Sequence, residues 1–178
     1  MMENSTHKPS ISLKEFISLL KDNTHPALEF LLNQLVVTKD DIDPYSSWNN
    51  DNYTRNCIFL NDEVEIIVLC WKPGQGTPVH NHQGQKCWVY QVYGEIEDQR
   101  YEPNENQVPL ATTKDIVQAG ALSYIDDSMG YHTIKNVSNE NAVTLHFYAK
   151  PFNSCKVFDE EKHQYVKKEL SYDTTWTL

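Results

Sequence analysis

The sequence predicts a mostly β fold, a small antiparallel barrel or sandwich preceded by an N-terminal helical segment. Three observations lead there. Apolar residues at helical spacing are confined to about residues 10–40. From about residue 57 the period changes to short β-rich runs parted by turn residues, the signature of a sandwich or small barrel. The chain has 178 residues, a length that suits one domain spanning 1–178 and suffices for a sizeable core.

Residues 1–10 are polar and are expected to fray. Ser12 followed by Glu15 has capping-box spacing, with Leu13, Phe16, Ile17 and Leu20 on one helical face. A second helix is expected from Pro26, a favoured first helical position, carrying Leu28, Leu31, Leu32 and Leu35. Residues 40–56, rich in Asp, Asn and Ser, read as a polar connection into the β-rich part, which begins at about residue 45. Strands are expected at 57–60, 65–71, 86–93, 95–101, 122–125, 132–137, 142–148 and 157–158, with final candidates at 164–166 and within 170–177. Between them lie Asn61-Asp62, Pro73-Gly74, Gly94, Pro103-Asn104, 126–130 and 138–141, all turn-forming.

Composition excludes several classes. With 15 Lys+Arg against 25 Asp+Glu the formal net charge is −10, which repels phosphate backbones and disfavours nucleic-acid partners. An aromatic share of 11% argues against disorder. No apolar run approaches the ~18 residues of a membrane-spanning helix, so no membrane association is expected. The N-terminus has no apolar stretch of signal-peptide type, and Cys57, Cys70, Cys87 and Cys155 form no CxxC pair. The expectation is a cytoplasmic, monomeric protein whose cysteines are mainly small buried hydrophobes.

The sharpest feature is the run Gly74-Gln-Gly-Thr-Pro-Val-His80-Asn-His82-Gln-Gly-Gln-Lys-Cys87-Trp-Val-Tyr-Gln-Val-Tyr-Gly94. His80 and His82 alternate with Asn81, so in extended chain both imidazoles project to one side and can share a metal. His132, at the start of a later strand in Gly130-Tyr-His132-Thr-Ile-Lys-Asn136, is the best third candidate. Three neutral imidazoles would leave coordination positions open, as a catalytic metal requires. On spacing alone, two surface histidines in a turn remain the alternative.

Gly74 lies six residues before His80, Gly94 lies twelve after His82, and Asn136 lies four after His132. This spacing resembles the two metal motifs of the cupin superfamily, small antiparallel jelly-roll barrels with a metal inside. Cys87 stands where the first cupin motif usually has Glu. The second motif lacks its usual Pro, and Gly130 precedes His132 by two residues instead of three. These departures resemble the thiol dioxygenase family, and within it the cysteine dioxygenases. The likeness is carried by Tyr53-Thr-Arg55-Asn56, Leu69-Cys-Trp71 through Cys87, Ser123-Tyr-Ile-Asp-Asp-Ser128 through His132, Thr144-Leu-His146-Phe-Tyr148, Pro151-Phe152 and Cys155-x-x-Phe158, over roughly residues 40–165.

The resemblance implies roles. His80, His82 and His132 would bind Fe(2+). Arg55 would hold a substrate carboxylate in its guanidinium fork, with Tyr53 and Trp71 lining the pocket. Tyr148, His146 and Cys87 would be catalytic, His146 orienting the phenol, and Cys87 and Tyr148 occupy the positions of a thioether crosslink in eukaryotic members. The implied substrates are L-cysteine and O2 and the product is cysteine sulfinic acid. Cys155 also matches a family position and is assigned packing. Thr144 keeps the hydroxyl of a family Ser. Ala149-Lys150-Pro151 replaces Ser-Pro-Pro, so the family's cis X–Pro bond is not expected after Tyr148. Two other readings stand beside this one. A 3-mercaptopropionate dioxygenase would usually have Gln at Arg55 and Gly at Cys87. A non-enzymatic cupin binding metal or a small ligand would not need Arg55, His146 and Tyr148 together.

Overall fold

The computed structural model describes residues 10–22 and 27–176. In chain order the elements are β1 (Ile11–Ser12), α1 (Leu13–Lys21), α2 (Leu28–Leu32), β2 (Leu35–Val36), α3 (Lys39–Ile42), β3 (Thr54–Leu60), β4 (Val64–Trp71), β5 (Cys87–Tyr93), β6 (Ile96–Pro103), β7 (Pro109–Val117), β8 (Leu122–Ile125), β9 (Tyr131–Asn136), β10 (Ala142–Ala149), β11 (Ser154–Asp159), β12 (Gln164–Glu169) and β13 (Thr174–Thr175). Short 3₁₀ turns at Asp43–Tyr45 and Asp127–Met129 complete it.

The capping box at Ser12 forms as the spacing predicts: Glu15 N–H donates to Ser12 Oγ and Ser12 N–H to the Glu15 carboxylate. The expected start of α2 at Pro26, the expected fraying of residues 1–9 and the end of the last strand candidate lie outside the described residues. The stretch from residue 40 is not simply a polar connection. Thr38 and Asp41 build a second capping box that starts α3, and the 3₁₀ turn follows.

Mostly β architecture with a cupin-type arrangement of facing sheets is what the chain adopts. The large sheet has the order β13-β3-β4-β10-β5-β8, opposite a three-stranded sheet β7-β6-β9 and the hairpin β11-β12. Among the described residues, hydrogen bonding does not run around a closed barrel. Isolated bridges Gly76–Lys135, His80–His132 and His80–Val157 stitch the segment after β4 to β9 and β11.

The central strands are buried on both faces, which is why they read as unbroken apolar runs. On β4, Ile66, Val68 and Cys70 join the core under the helices with Phe16 and Leu20, while Ile67, Leu69 and Trp71 face inward. On β10, Leu145 and Phe147 face the helices; Phe16 meets Phe147 edge-on at 5.2 Å. Thr144, His146 and Tyr148, the alternate residues, therefore point into the space between the sheets.

β7 was not expected from the sequence. It is the outer strand of its sheet and nearly every residue is exposed, so it carries no hydrophobic period. Two motif glycines have steric reasons. A Cβ on Gly94 (φ +80°) would lie 2.5 Å from Cβ of Ala142, and one on Gly130 (φ +84°) 2.7 Å from the Tyr101 carbonyl oxygen.

Candidate active site

His80 and His132 face each other across a two-residue bridge, each N–H donating to the other's carbonyl at 3.0 Å. His82 follows two residues on, in the extended segment before β5. The ligand-capable nitrogens of the three residues all lie within 4.8 Å of one another. The rings are oriented by fixed acceptors: His80 Nδ1–H donates to the Pro78 carbonyl (3.1 Å) and His132 Nδ1–H to the Asp98 carboxylate (3.0 Å). Nε2 of each is thereby left with its lone pair. His132 Nε2 and His82 Nδ1 are buried without a partner among the described residues. Unpaired buried polar atoms are costly, about 1–3 kcal/mol each, and few in folded proteins. Three convergent imidazole nitrogens suit a borderline first-row metal, and a metal there would satisfy the orphaned His132 Nε2.

Burial holds His80 down to about 4 and, reinforced by the neighbouring imidazoles, holds His82 and His132 well below the usual histidine range. All three are neutral near pH 7, the form that ligates.

Outer partners fix this arrangement. Asp98 on β6 takes the His132 N–H on one oxygen and Arg100 Nη2–H (3.0 Å) on the other. Asp127 accepts from the backbone N–H groups of His82 and Gly84, both at 2.8 Å, and so pins the loop. Asn81, pointing away from the histidines, exchanges hydrogen bonds with the Lys156 backbone at 3.1 and 2.9 Å. Sequence reasoning missed these residues as participants. Asp127 lay inside a motif segment, but Asp98, 34 residues from His132, gave no local signal.

A small cavity of about 30 Å³ opens beside the metal-ligand candidates, lined by Tyr53, Arg55, His80, His146, Tyr148 and Phe152 among others. Arg55 lies on β3, which begins at Thr54 rather than at residue 57, and is 8% exposed. Its Nε–H donates to the Ser171 carbonyl at 3.2 Å, while Nη2 is buried with no partner among the described residues. A buried cation with a free donor beside a cavity is a ready receptor for a carboxylate. The far wall is built by β11, β12 and the chain after them, through Cys155, Val157, Lys168 and Leu170. The contribution of residues after 160 was not read from the sequence.

Trp71 does not reach the cavity surface. It is fully buried behind Tyr53, stacked on that ring at 4.5 Å. Its Nε1–H donates to Thr144 Oγ1 at 2.9 Å, and the same oxygen lies 2.9 Å from His146 Nε2. The indole can only donate, so the Thr144 hydroxyl hydrogen is free for His146 Nε2. That tautomer leaves His146 Nδ1–H facing the Tyr148 hydroxyl at 3.5 Å and Cys87 Sγ at 3.9 Å. Burial lowers His146 to about 3, so it is neutral.

Cys87 and Tyr148 are direct cross-strand partners in the β5–β10 ladder, both buried. Burial pushes the Cys87 thiol and the Tyr148 phenol well above their ordinary values, so each keeps its proton near neutrality. Phe152 stacks on Tyr148 at 4.7 Å and on His82 at 5.6 Å, joining the two parts of the site. After Tyr148 the chain turns through Lys150 at φ +100°, and no peptide bond among the described residues is cis.

Comparison with known proteins agrees with this geometry. The family model described as cysteine dioxygenase type I matches residues 31–161. Cysteine dioxygenase type 1 of Danio rerio is 30% identical over 130 residues, 69% of this chain and 65% of that protein. The Homo sapiens protein of the same name is 29% identical over 139 residues, 75% of this chain and 69% of that one. The matches thus span about two thirds of these relatives' length. Among solved structures, an uncharacterized conserved protein with a double-stranded β-helix domain from Klebsiella pneumoniae has a TM-score of 0.50 at 20% identity, covering 61% of this chain and 81% of its own. A protein of Thermus thermophilus reaches 0.52 at 19% identity, covering 62% of this chain and 94% of its own. At such identities these two speak to the fold alone.

Proposed function

The chain belongs to the cysteine dioxygenase type I family, and we propose that it is an Fe(2+)-dependent thiol dioxygenase that oxidises L-cysteine with O2 to cysteine sulfinic acid. The observation that carries this reading is the convergence of two unsatisfied groups on one region: the three-histidine cluster and the free Nη2 of Arg55. The first suits a metal and the second an anion, and cysteine presents a thiolate, an amine and a carboxylate.

His80, His82 and His132 would hold the iron, which when bound supplies a meeting place for thiolate and dioxygen and the one-electron chemistry the side chains lack. The protein's part is positioning. Arg55 would take the carboxylate in a charge-assisted pair, orienting sulfur and nitrogen toward the histidines. Tyr53, on the same wall, would limit the freedom of the bound amino acid, with Trp71 supporting it from behind. Tyr148 would present its protonated hydroxyl to the reacting sulfur and oxygen atoms, held by His146 Nδ1–H, which Thr144 and Trp71 lock in one tautomer. The overall step balances without a further reductant: sulfur loses four electrons, dioxygen gains four, and both oxygen atoms end on sulfur. Joining Cys87 sulfur to a Tyr148 ring carbon would be a side reaction that loses two hydrogens to dioxygen; the ladder pairing of the two residues supports it.

Oxygen uptake by iron-loaded protein with cysteine, 3-mercaptopropionate and cysteamine, with mass identification of product, tests the reading. Uptake with cysteine and a sulfinate product two oxygen atoms heavier is expected. Preference for 3-mercaptopropionate refutes the substrate, and no turnover of any thiol refutes the dioxygenase reading, leaving a binding protein.

A further inference from the structure

The cavity is finished by a piece of chain beyond the family match, which ends at residue 161. After β12, residues 170–176 run back along β3 as a strap. Leu170 N–H donates to the Asn153 carbonyl at 2.9 Å, and Leu170 itself lines the cavity. The Ser171 carbonyl takes Arg55 Nε–H. The Tyr172 hydroxyl donates to the fully buried Glu65, whose other oxygen accepts the Phe152 N–H at 2.8 Å. Asp173 and Arg55 exchange bonds at 2.8 Å, Arg55 N–H to the Asp173 carboxylate and Asp173 N–H to the Arg55 carbonyl. β13 then pairs in parallel with β3, Thr174 against Asn56, and Trp176 N–H donates to the Cys57 carbonyl at 2.8 Å.

We propose that this strap determines carboxylate specificity: Tyr172, through Glu65, and Asp173 are positioning residues that aim the Arg55 guanidinium into the cavity. The inference rests on Arg55 being the carboxylate receptor. The physical reason lies in the guanidinium's freedom. A three-carbon stem has several rotamers, and ordering such a side chain costs conformational entropy. The Ser171 carbonyl removes much of that freedom before substrate arrives, leaving Nη2 as the unsatisfied donor. That carbonyl is only as well placed as the strap. Glu65 ties the strap to the Phe152 segment, so the walls holding Arg55 and Tyr148 keep a fixed separation.

The test is anaerobic calorimetry of L-cysteine and of cysteamine, which lacks the carboxylate, on iron-loaded wild type, Tyr172→Phe and Asp173→Ala. Wild type should bind cysteine more tightly. In each variant that preference should fall about 3- to 10-fold, the worth of one ordinary hydrogen bond. Cysteamine affinity and iron content should not change. A preference kept by both variants, or a parallel loss for both ligands, overturns the strap's role while the Arg55 assignment stands. No preference in wild type overturns Arg55 as receptor and this inference with it. Should Tyr172→Phe not fold, Asp173→Ala carries the test, because Asp173 is exposed and its loss opens no core cavity.

Discussion

Replacing Asp98 by Ala should weaken metal binding without touching a ligand. Asp98 is 8% exposed, and one oxygen takes the His132 Nδ1–H at 3.0 Å. Removing it frees the ring to rotate and lets the proton settle on either nitrogen. A hydrogen bond to a charged group is worth about 1.5–3 kcal/mol, or about 10- to 150-fold at 1.4 kcal/mol per decade. Loss of such outer partners elsewhere costs about 10- to 100-fold in metal affinity, so the two estimates overlap. Arg100, whose guanidinium lies 3.0 Å from the other oxygen, would be left as an unpaired cation beside the site, which pushes in the same direction. Asp98→Asn keeps an acceptor but not the charge and should fall between. Competition for Fe(2+) against a coloured chelator near pH 7.5 measures this, with thermal unfolding of the metal-free proteins as the control. A metal affinity for Asp98→Ala within twofold of wild type would refute the reasoning.

Arg55→Ala should lower kcat/KM for cysteine about 10- to 150-fold, the range for losing a bond to a charged group, and leave cysteamine nearly unaffected; equal effects on both thiols would remove the carboxylate pair. Intact-mass measurement after turnover should reveal a fraction lighter by two hydrogens in wild type and none in Cys87→Ala, whereas no such fraction under sustained turnover makes Cys87 a packing residue. The metal-free protein should lose stability in acid. His146 is lowered to about 3 from an ordinary 6.5, so its contribution is complete above pH 6.5 and is lost as pH falls from there toward 3. At pH 5 that one residue costs about 2 kcal/mol, 1.5 pH units at 1.36 kcal/mol each. His80, His82 and His132 are held low as well and add to the loss. Urea midpoints of wild type and His146→Gln at pH 7 and pH 5 therefore isolate the His146 share, and an equal fall in both proteins would mean its imidazole titrates normally.

What the sequence disclosed depended on how local each signal was. The Ser12 capping box and the apolar runs of β4, β5 and β10 are read within a few residues of one another, and they stand within a residue or two of expectation at most ends. β7 was invisible because an exposed outer strand needs no apolar face. The metal-ligand candidates were legible from His80-Asn-His82, since alternation in extended chain is a local rule, but His132 needed the family likeness to raise it above a good guess. Trp71 shows the limit of carry-over: the residue was found, yet its side chain buttresses Tyr53 and Thr144 rather than facing the cavity. Asp98, Glu65 and the strap after residue 169 act across 34 to 118 positions, distances at which a single sequence holds no pattern.

The placement of chemistry on β10 follows from the same double burial that makes the strand hard to read. Its odd-numbered members, Val143, Leu145 and Phe147, are fixed by the core beneath the helices. Its even-numbered members, Thr144, His146 and Tyr148, are polar groups forced into a nearly dry interior, where each must find a partner or carry a penalty. Trp71, Thr144 and His146 satisfy one another in line, and the chain of donors ends at the Tyr148 hydroxyl. A well-packed outer face therefore sets the angle of the inner one: rigid interiors transmit small shifts instead of absorbing them. The N-terminal helices contribute no residue to the cavity, but by covering Leu145 and Phe147 they hold the strand on which His146 and Tyr148 meet the histidine cluster.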